Sequence, residues 1–219
     1  MKSKRQYEPA LLVIFLSCTA LSGCNEKQKE QVRRSWDSYA AAATAGDGQT
    51  AVSWLNENTI AFYDRVRREA LESSAEQVRA LPLTEKMFVL LTRINVDPAY
   101  LRKLDGGQLI MVGMRDGWMN NAGDPKALTL DDIQIEGDRA TAQVSANGKV
   151  LPFRFLFTRE GGVWKQDLPS ILEFMDSKLR DTMTRAPAGM TEDQMILLAV
   201  GMQSRKQIGP EIWDKPSAK

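Results

Sequence analysis

The sequence predicts an α+β domain: helices first, then a four-stranded antiparallel meander, then further helices. Three observations carry this. Apolar residues recur at helical spacing from Val32 to about Met119. Beyond Leu128 the spacing changes to period two, broken by turn signals at Glu136-Gly137-Asp138, Asn147-Gly148 and Glu160-Gly161-Gly162. After Ser170 the helical spacing returns. Strands joined in succession by tight turns pair antiparallel, which excludes a βαβ arrangement.

The first helix carries Val32, Trp36, Tyr39, Ala40 and Ala43 on one face. Gly46 stops it and Asp47 can cap the next. A second helix places Val52, Leu55, Thr59, Phe62, Val66 and Ala70 along a face and is expected to run towards Glu76. Another starts near Thr84 with Met87, Phe88, Leu91 and Ile94. Asp97-Pro98, a cap followed by a proline at the first helical position, opens the next, and one more spans about Gly107 to Met119.

In the first strand Leu128 and Leu130 alternate on one parity, Ile133 and Ile135 on the other. A one-residue slip reverses the face, so a β-bulge is expected at Asp131-Asp132. Ala140, Ala142 and Val144 point inward on the second strand. Asn147-Gly148 is the strongest hairpin signal in the chain. Phe153, Phe155 and Phe157 line one face of the third strand, and Val163 to Leu168 form the fourth. Ser170 to Glu173 reads as a capping box for a helix with Leu172, Met175, Leu179 and Met183. Ala186-Pro187-Ala188-Gly189 ends that helix, and Thr191 to Gln194 offers a second capping box for a last one. The tail from Asp214 is expected to be mobile.

The N-terminus has its own chemistry. Met1-Lys2-Ser3-Lys4-Arg5 is basic, and Leu11 to Cys24 is apolar but well short of the ~20 residues a membrane-spanning helix needs. That is the pattern of a secretory signal. Leu21-Ser22-Gly23-Cys24 resembles the lipobox of bacterial lipoproteins. The resemblance implies cleavage before Cys24 and lipidation of its thiol, with the mature chain tied to a membrane. Asn25 stands where an aspartate would mark inner-membrane retention, so the outer membrane is the expected destination. The implied boundaries are a signal peptide at 1–23, a lipidated cysteine and tether at 24–30, the α+β core at 31–186, and a helical extension with its tail at 187–219.

Composition narrows the chemistry. The chain has 29 basic and 28 acidic side chains. Loss of Lys2, Lys4, Arg5 and Glu8 leaves 26 and 27, so no nucleic-acid partner is indicated. There is no histidine, which excludes Ser-His-Asp and Cys-His nucleophile pairs and histidine-rich zinc sites. Cys18 leaves with the signal and Cys24 is the lipid site, so no thiol remains for metal or redox work. Gly106-Gly107 and Gly161-Gly162 lack the spacing and the Lys-Ser/Thr of a phosphate loop. No cofactor is implied.

The order of elements, with Tyr39-Ala40-Ala41-Ala42, Ala45-Gly46-Asp47, Leu55, Phe62-Tyr63-Asp64 and the finish "FLFTREGGVWKQDLPSI" (Phe155 to Ile171), resembles the nuclear transport factor 2-like superfamily, which includes ketosteroid isomerase. That resemblance implies a cone-like single domain whose curved sheet and helices enclose an apolar pocket. Two features depart from it: "RVRREALES" continues as helix where the family enters a strand, and the helices after the sheet are additional. In the isomerase branch carboxyl and tyrosine groups move a proton beside a carbonyl. Tyr63 with Asp64, or Asp116 near Trp118, are the candidates here, and adjacent helical residues do not face one point.

Nine of the ten methionines follow residue 86. Methionine suits irregular cores and adaptable apolar surfaces alike. Met111 and Met114 offer soft thioethers to copper(I), but no histidine or free cysteine stands with them, and no metal is assigned. The reading is a non-catalytic envelope lipoprotein that binds an apolar small molecule or docks on an envelope protein. Its ligand-binding residues are expected among Phe153, Phe155, Phe157, Tyr63, Met111, Met114 and Trp118. A small isomerase or lyase of the ketosteroid isomerase type is the alternative.

Overall fold

The computed structural model describes residues 17–119, 125–185 and 189–216, with side chains from residue 25 onwards. The helical part comprises α1 (Ser17–Ala45), α2 (Gly48–Ser53), α3 (Glu57–Glu72), α4 (Ala75–Ala80), α5 (Leu83–Asn95), α6 (Pro98–Leu101) and α7 (Gly106–Arg115). The strands β1 (Leu128–Glu136), β2 (Arg139–Ala146), β3 (Lys149–Glu160) and β4 (Val163–Asp167) follow, then α8 (Leu172–Met183) and α9 (Glu192–Ser204). The sheet is a four-stranded antiparallel meander in the order β1-β2-β3-β4. The fold is α+β.

α1 is pinned to both edges of this sheet. The Ser35 hydroxyl donates to the Trp164 carbonyl on β4 at 2.6 Å, and the Trp36 indole donates to the Leu128 carbonyl on β1 at 3.3 Å. Between them lies the core. Ala140, Ala142, Val144, Phe155, Phe157 and Trp164 are all buried, as the period-two alternation requires. The small β2 side chains leave room for the large β3 ones: Ala142 pairs with Phe155 and Ala140 with Phe157. α7 crosses α3 at backbone distance. A Cβ on Gly106 would lie 2.6 Å from the Asp64 amide nitrogen, so only glycine fits there.

The β1 bulge falls where the parity change placed it. Register shifts between Asp131 and Gln134, and Asp132 sits at φ 37. Asn147 and Gly148 form the β2–β3 turn with φ 50 and 73, the geometry of a type I′ turn. A Cβ on Gly148 would meet no atom within 4 Å, so substitution there tests backbone strain alone. Gly148→Val should cost about 2 kcal/mol in urea unfolding, whereas asparagine, which tolerates the left-handed region, should cost well under half of that. Equal losses for the two would contradict the turn geometry.

Other expectations need correction. The long second helix is three. Leu55 leaves helical geometry to bridge Gln166 on β4, and Asn56 restarts the chain by accepting from the Thr59 amide at 2.9 Å. Ser74 and Gln77 then form a capping box that opens α4. Ser170 does not cap α8. Asp167 accepts from the Ser170 amide at 3.2 Å and caps a 3₁₀ turn, Leu168–Ile171, while α8 has no side-chain cap of its own. Residues 25–30, expected as a tether, are helical within α1. The C-terminal segment is docked by a second 3₁₀ turn, Pro210–Trp213, whose Trp213 is 1% exposed. The residues 186–188, expected to break the chain, lie outside those described, as does most of the signal segment.

Candidate functional site

α8 is amphipathic, yet none of its residues is buried. Leu172, Leu179 and Met183 are partly buried against the core, and the helix roofs a gap beside it. The gap is a cavity of about 390 Å³ walled by α1, α3, α5, α8 and the Leu168–Ile171 turn. α8 is attached at its N-terminal end and along its length. Phe174 stacks on Phe153 of β3 with ring centroids 4.5 Å apart. Asp176 accepts from the Thr84 amide at 2.6 Å. That bond supplies the cap that α5 lacks, since Pro82 at its N-cap position makes no side-chain bond.

The floor is aromatic. Phe62, Tyr63 and Phe88 pack edge to face, with Tyr63 5.6 Å from Phe88 and 5.2 Å from Phe62. Met87 and Leu91 extend it along α5, and Leu172, Met175 and Leu179 face it from α8. Tyr39, Tyr63, Thr84, Lys178 and Gln203 interrupt this apolar lining. Tyr39 and Tyr63 are 8% and 6% exposed, and no hydrogen-bond partner for either hydroxyl occurs among the described residues. The Thr84 hydroxyl is fully buried and also unpartnered. Burial pushes the Tyr39 phenol up to about 12. Tyr63 is raised further, first by burial and then by the neighbouring Tyr39. Both therefore remain neutral donors throughout the physiological range.

The Thr84 hydroxyl, fully buried and unpartnered, carries its full desolvation cost and is closed off from the cavity itself. The neighbouring Tyr39 and Tyr63 phenols give the apolar space a polar end. Among the described residues no Asp or Glu lines the cavity, and Lys178 is its one cationic lining residue. Lys178 is exposed, lies over the Phe174 ring and reaches Asp181 at 3.5 Å.

Comparison of the chain with protein-family models, curated proteins and solved structures finds no match.

Of the residues expected to bind a ligand, only Tyr63 lines this cavity. Phe155 is 3% exposed against Trp36 at 4.8 Å, and Phe157 is fully buried, so both belong to the core. Phe153 supports the site from outside through Phe174. Met114 and Trp118 are buried elsewhere in the core. Met111 lines a separate groove with Gly46, Gly48 and Tyr100. Neither candidate carboxylate reaches the cavity: Asp64 is held by Arg67 and Arg68, and Asp116 by Arg115. The residues missed are Tyr39, Thr84 and Phe88. Tyr39 and Thr84 could have been noticed as polar-tipped residues on apolar helix faces, but nothing local shows that those faces meet. Among the described residues no group of acidic or cysteine side chains could hold a metal ion, and no helix is long and apolar enough to cross a membrane.

Proposed function

We propose that this chain is a lipid-anchored, non-catalytic protein of the cell envelope that binds an apolar small molecule beneath α8. The observation that carries the reading is the cavity of about 390 Å³, largely apolar, with the Tyr39 and Tyr63 phenols at one end and roofed by a helix with no buried residue. Small-ligand sites are commonly built this way, with mostly apolar walls and a few placed polar groups. An isomerase would need a carboxylate base in reach of the ligand, and among the described residues no Asp or Glu lines the space. Filling the cavity tests the reading. An environment-sensitive apolar dye should bind the wild type, and Met175→Trp should abolish that binding with the circular dichroism spectrum unchanged. No dye binding, or binding indifferent to the substitution, would sink the proposal.

The anchor is Cys24, as its resemblance to a lipobox cysteine implies. α1 runs through this position, and Val32 is the first fully buried residue after it. Eight residues of helix amount to about 12 Å, so the domain would stand on a short helical stem close to the bilayer surface. Cys24→Ala should eliminate fatty-acid labelling in cells and leave the signal uncleaved. Label persisting in that variant would remove the anchor from the proposal.

Docking on an envelope protein is the second reading. Leu198 and Met202, one turn apart on α9, are 54% and 73% exposed, an apolar surface at the rim of a groove shared with α8.

A further inference from the structure

The cavity beneath α8 adjoins a second one. Met87 of α5 and Leu179 of α8 line both, and the second has a volume of about 450 Å³. Its character differs from the first. Met183, Met190, Met195 and Met202 line it together with Met87, five methionines beside Leu179, Leu198, Ala199, Thr182 and Arg185. The methionine side chains are unbranched and polarizable, and they follow the contour of a flexible occupant at little cost in rotamer strain. The Tyr39 and Tyr63 phenols line the first cavity and not the second. The combined space therefore has phenols at one end and thioethers at the other, with Met87 and Leu179 at the junction.

We infer that the ligand is an uncharged molecule with an alkyl chain, its hydrogen-bond acceptor held by the Tyr39 and Tyr63 hydroxyls and its chain passing Met87 and Leu179 into the methionine-lined groove. This rests on the binding function proposed above. The acceptor is uncharged because the phenols remain neutral and the one cation lining their cavity among the described residues, Lys178, is exposed and reaches Asp181. A buried carboxylate there would lack a counter-charge. The ligand is a chain because Met87 and Leu179 stand between the two spaces, and a flexible chain follows adaptable thioether walls from one to the other.

Photo-crosslinking of the full-length protein in its own membranes tests this with two methyl ketones, of eight and fourteen carbons, each carrying a diazirine at the end remote from the carbonyl. The short probe should label residues 84–91 and 172–175, and the long probe residues 183–202. Leu179→Trp should remove the distal label and keep the proximal one. Tyr63→Phe should lower the short ketone's yield about fivefold at sub-saturating probe, the effect of one neutral hydrogen bond, and leave a matched alkane probe unchanged. If both lengths label the same residues, or Leu179→Trp spares the distal label, the chain path is wrong while binding beneath α8 stands. Equal losses of ketone and alkane on Tyr63→Phe would overturn the acceptor assignment. No label at either cavity would remove the binding function itself.

Discussion

Phe155→Ala should cost about 3–5 kcal/mol of stability, the loss typical of a phenylalanine truncated in a close-packed core. Phe155 sits in a run of rings that crosses the molecule. Tyr39 lies 5.7 Å from Trp36, Trp36 lies 4.8 Å from Phe155, and Phe155 lies 5.5 Å from Phe153, which continues to Phe174 on α8. Its partner across the sheet is Ala142, which offers no bulk to fill the space left behind. The melting temperature should fall by about 10 °C for a chain of this length. Urea unfolding measures the loss directly. A loss below about 1 kcal/mol would mean that Phe155 lines a yielding wall and not a packed core. Because the run of rings ends on the cavity roof, the variant should also loosen α8, visible as faster amide exchange in residues 172–183.

Arg93→Met should cost about 3 kcal/mol and release the C-terminal segment. The Arg93 guanidinium donates to five backbone carbonyls and to no carboxylate: Glu69, Ala70 and Ser73 at the end of α3, and Ile212 and Trp213 in the last 3₁₀ turn. The bonds to Ser73 and Trp213 are both 2.6 Å. Burial lowers the Arg93 pKa from its ordinary value. Glu69 keeps the Ser73 amide as a partner at 3.0 Å, but the Ala70 and Ser73 carbonyls at the helix end lose the guanidinium. Trp213, against which Arg79 packs at 4.8 Å, then loses its second attachment. Trypsin cleavage at Arg205 and Lys206 should accelerate in Arg93→Met relative to the wild type. Lysine should not rescue, because a point charge cannot reproduce a planar fork with five donors. Unchanged proteolysis would show that Trp213 burial alone holds the segment.

The elements legible in the chain are those whose chemistry is local. A parity change within one strand demands a bulge, and Asp132 at φ 37 supplies it. Asn147-Gly148 prefers a type I′ turn whatever surrounds it. Asp97 followed by Pro98 caps α6, accepting from the Ala99 and Tyr100 amides, and Thr191 with Gln194 boxes the start of α9. Each depends on residues three or fewer positions apart. Ser74 and Gln77 were equally local; the charged run beginning at Arg65 concealed them.

What escaped the sequence depends on distant partners. Leu55 and Val52 fit the same helical face, and nothing nearby says that Leu55 will leave the helix. Gln166 decides it, by offering a strand edge to which Leu55 bridges and whose carbonyl accepts from the Asn56 amide at 3.0 Å. Asp167 likewise takes the capping role expected of Ser170 because Asn56 and Asn58 donate to its carboxylate and hold it in place. The cavity beneath α8 is of the same kind. Tyr39, Tyr63 and Thr84 belong to α1, α3 and α5, and periodicity shows only that each helix has an apolar face. Period and turn chemistry are properties of a few neighbouring residues, so the α+β order could be read from the chain. A cavity is the space that packed faces fail to fill, and that depends on how α8 settles over the other helices.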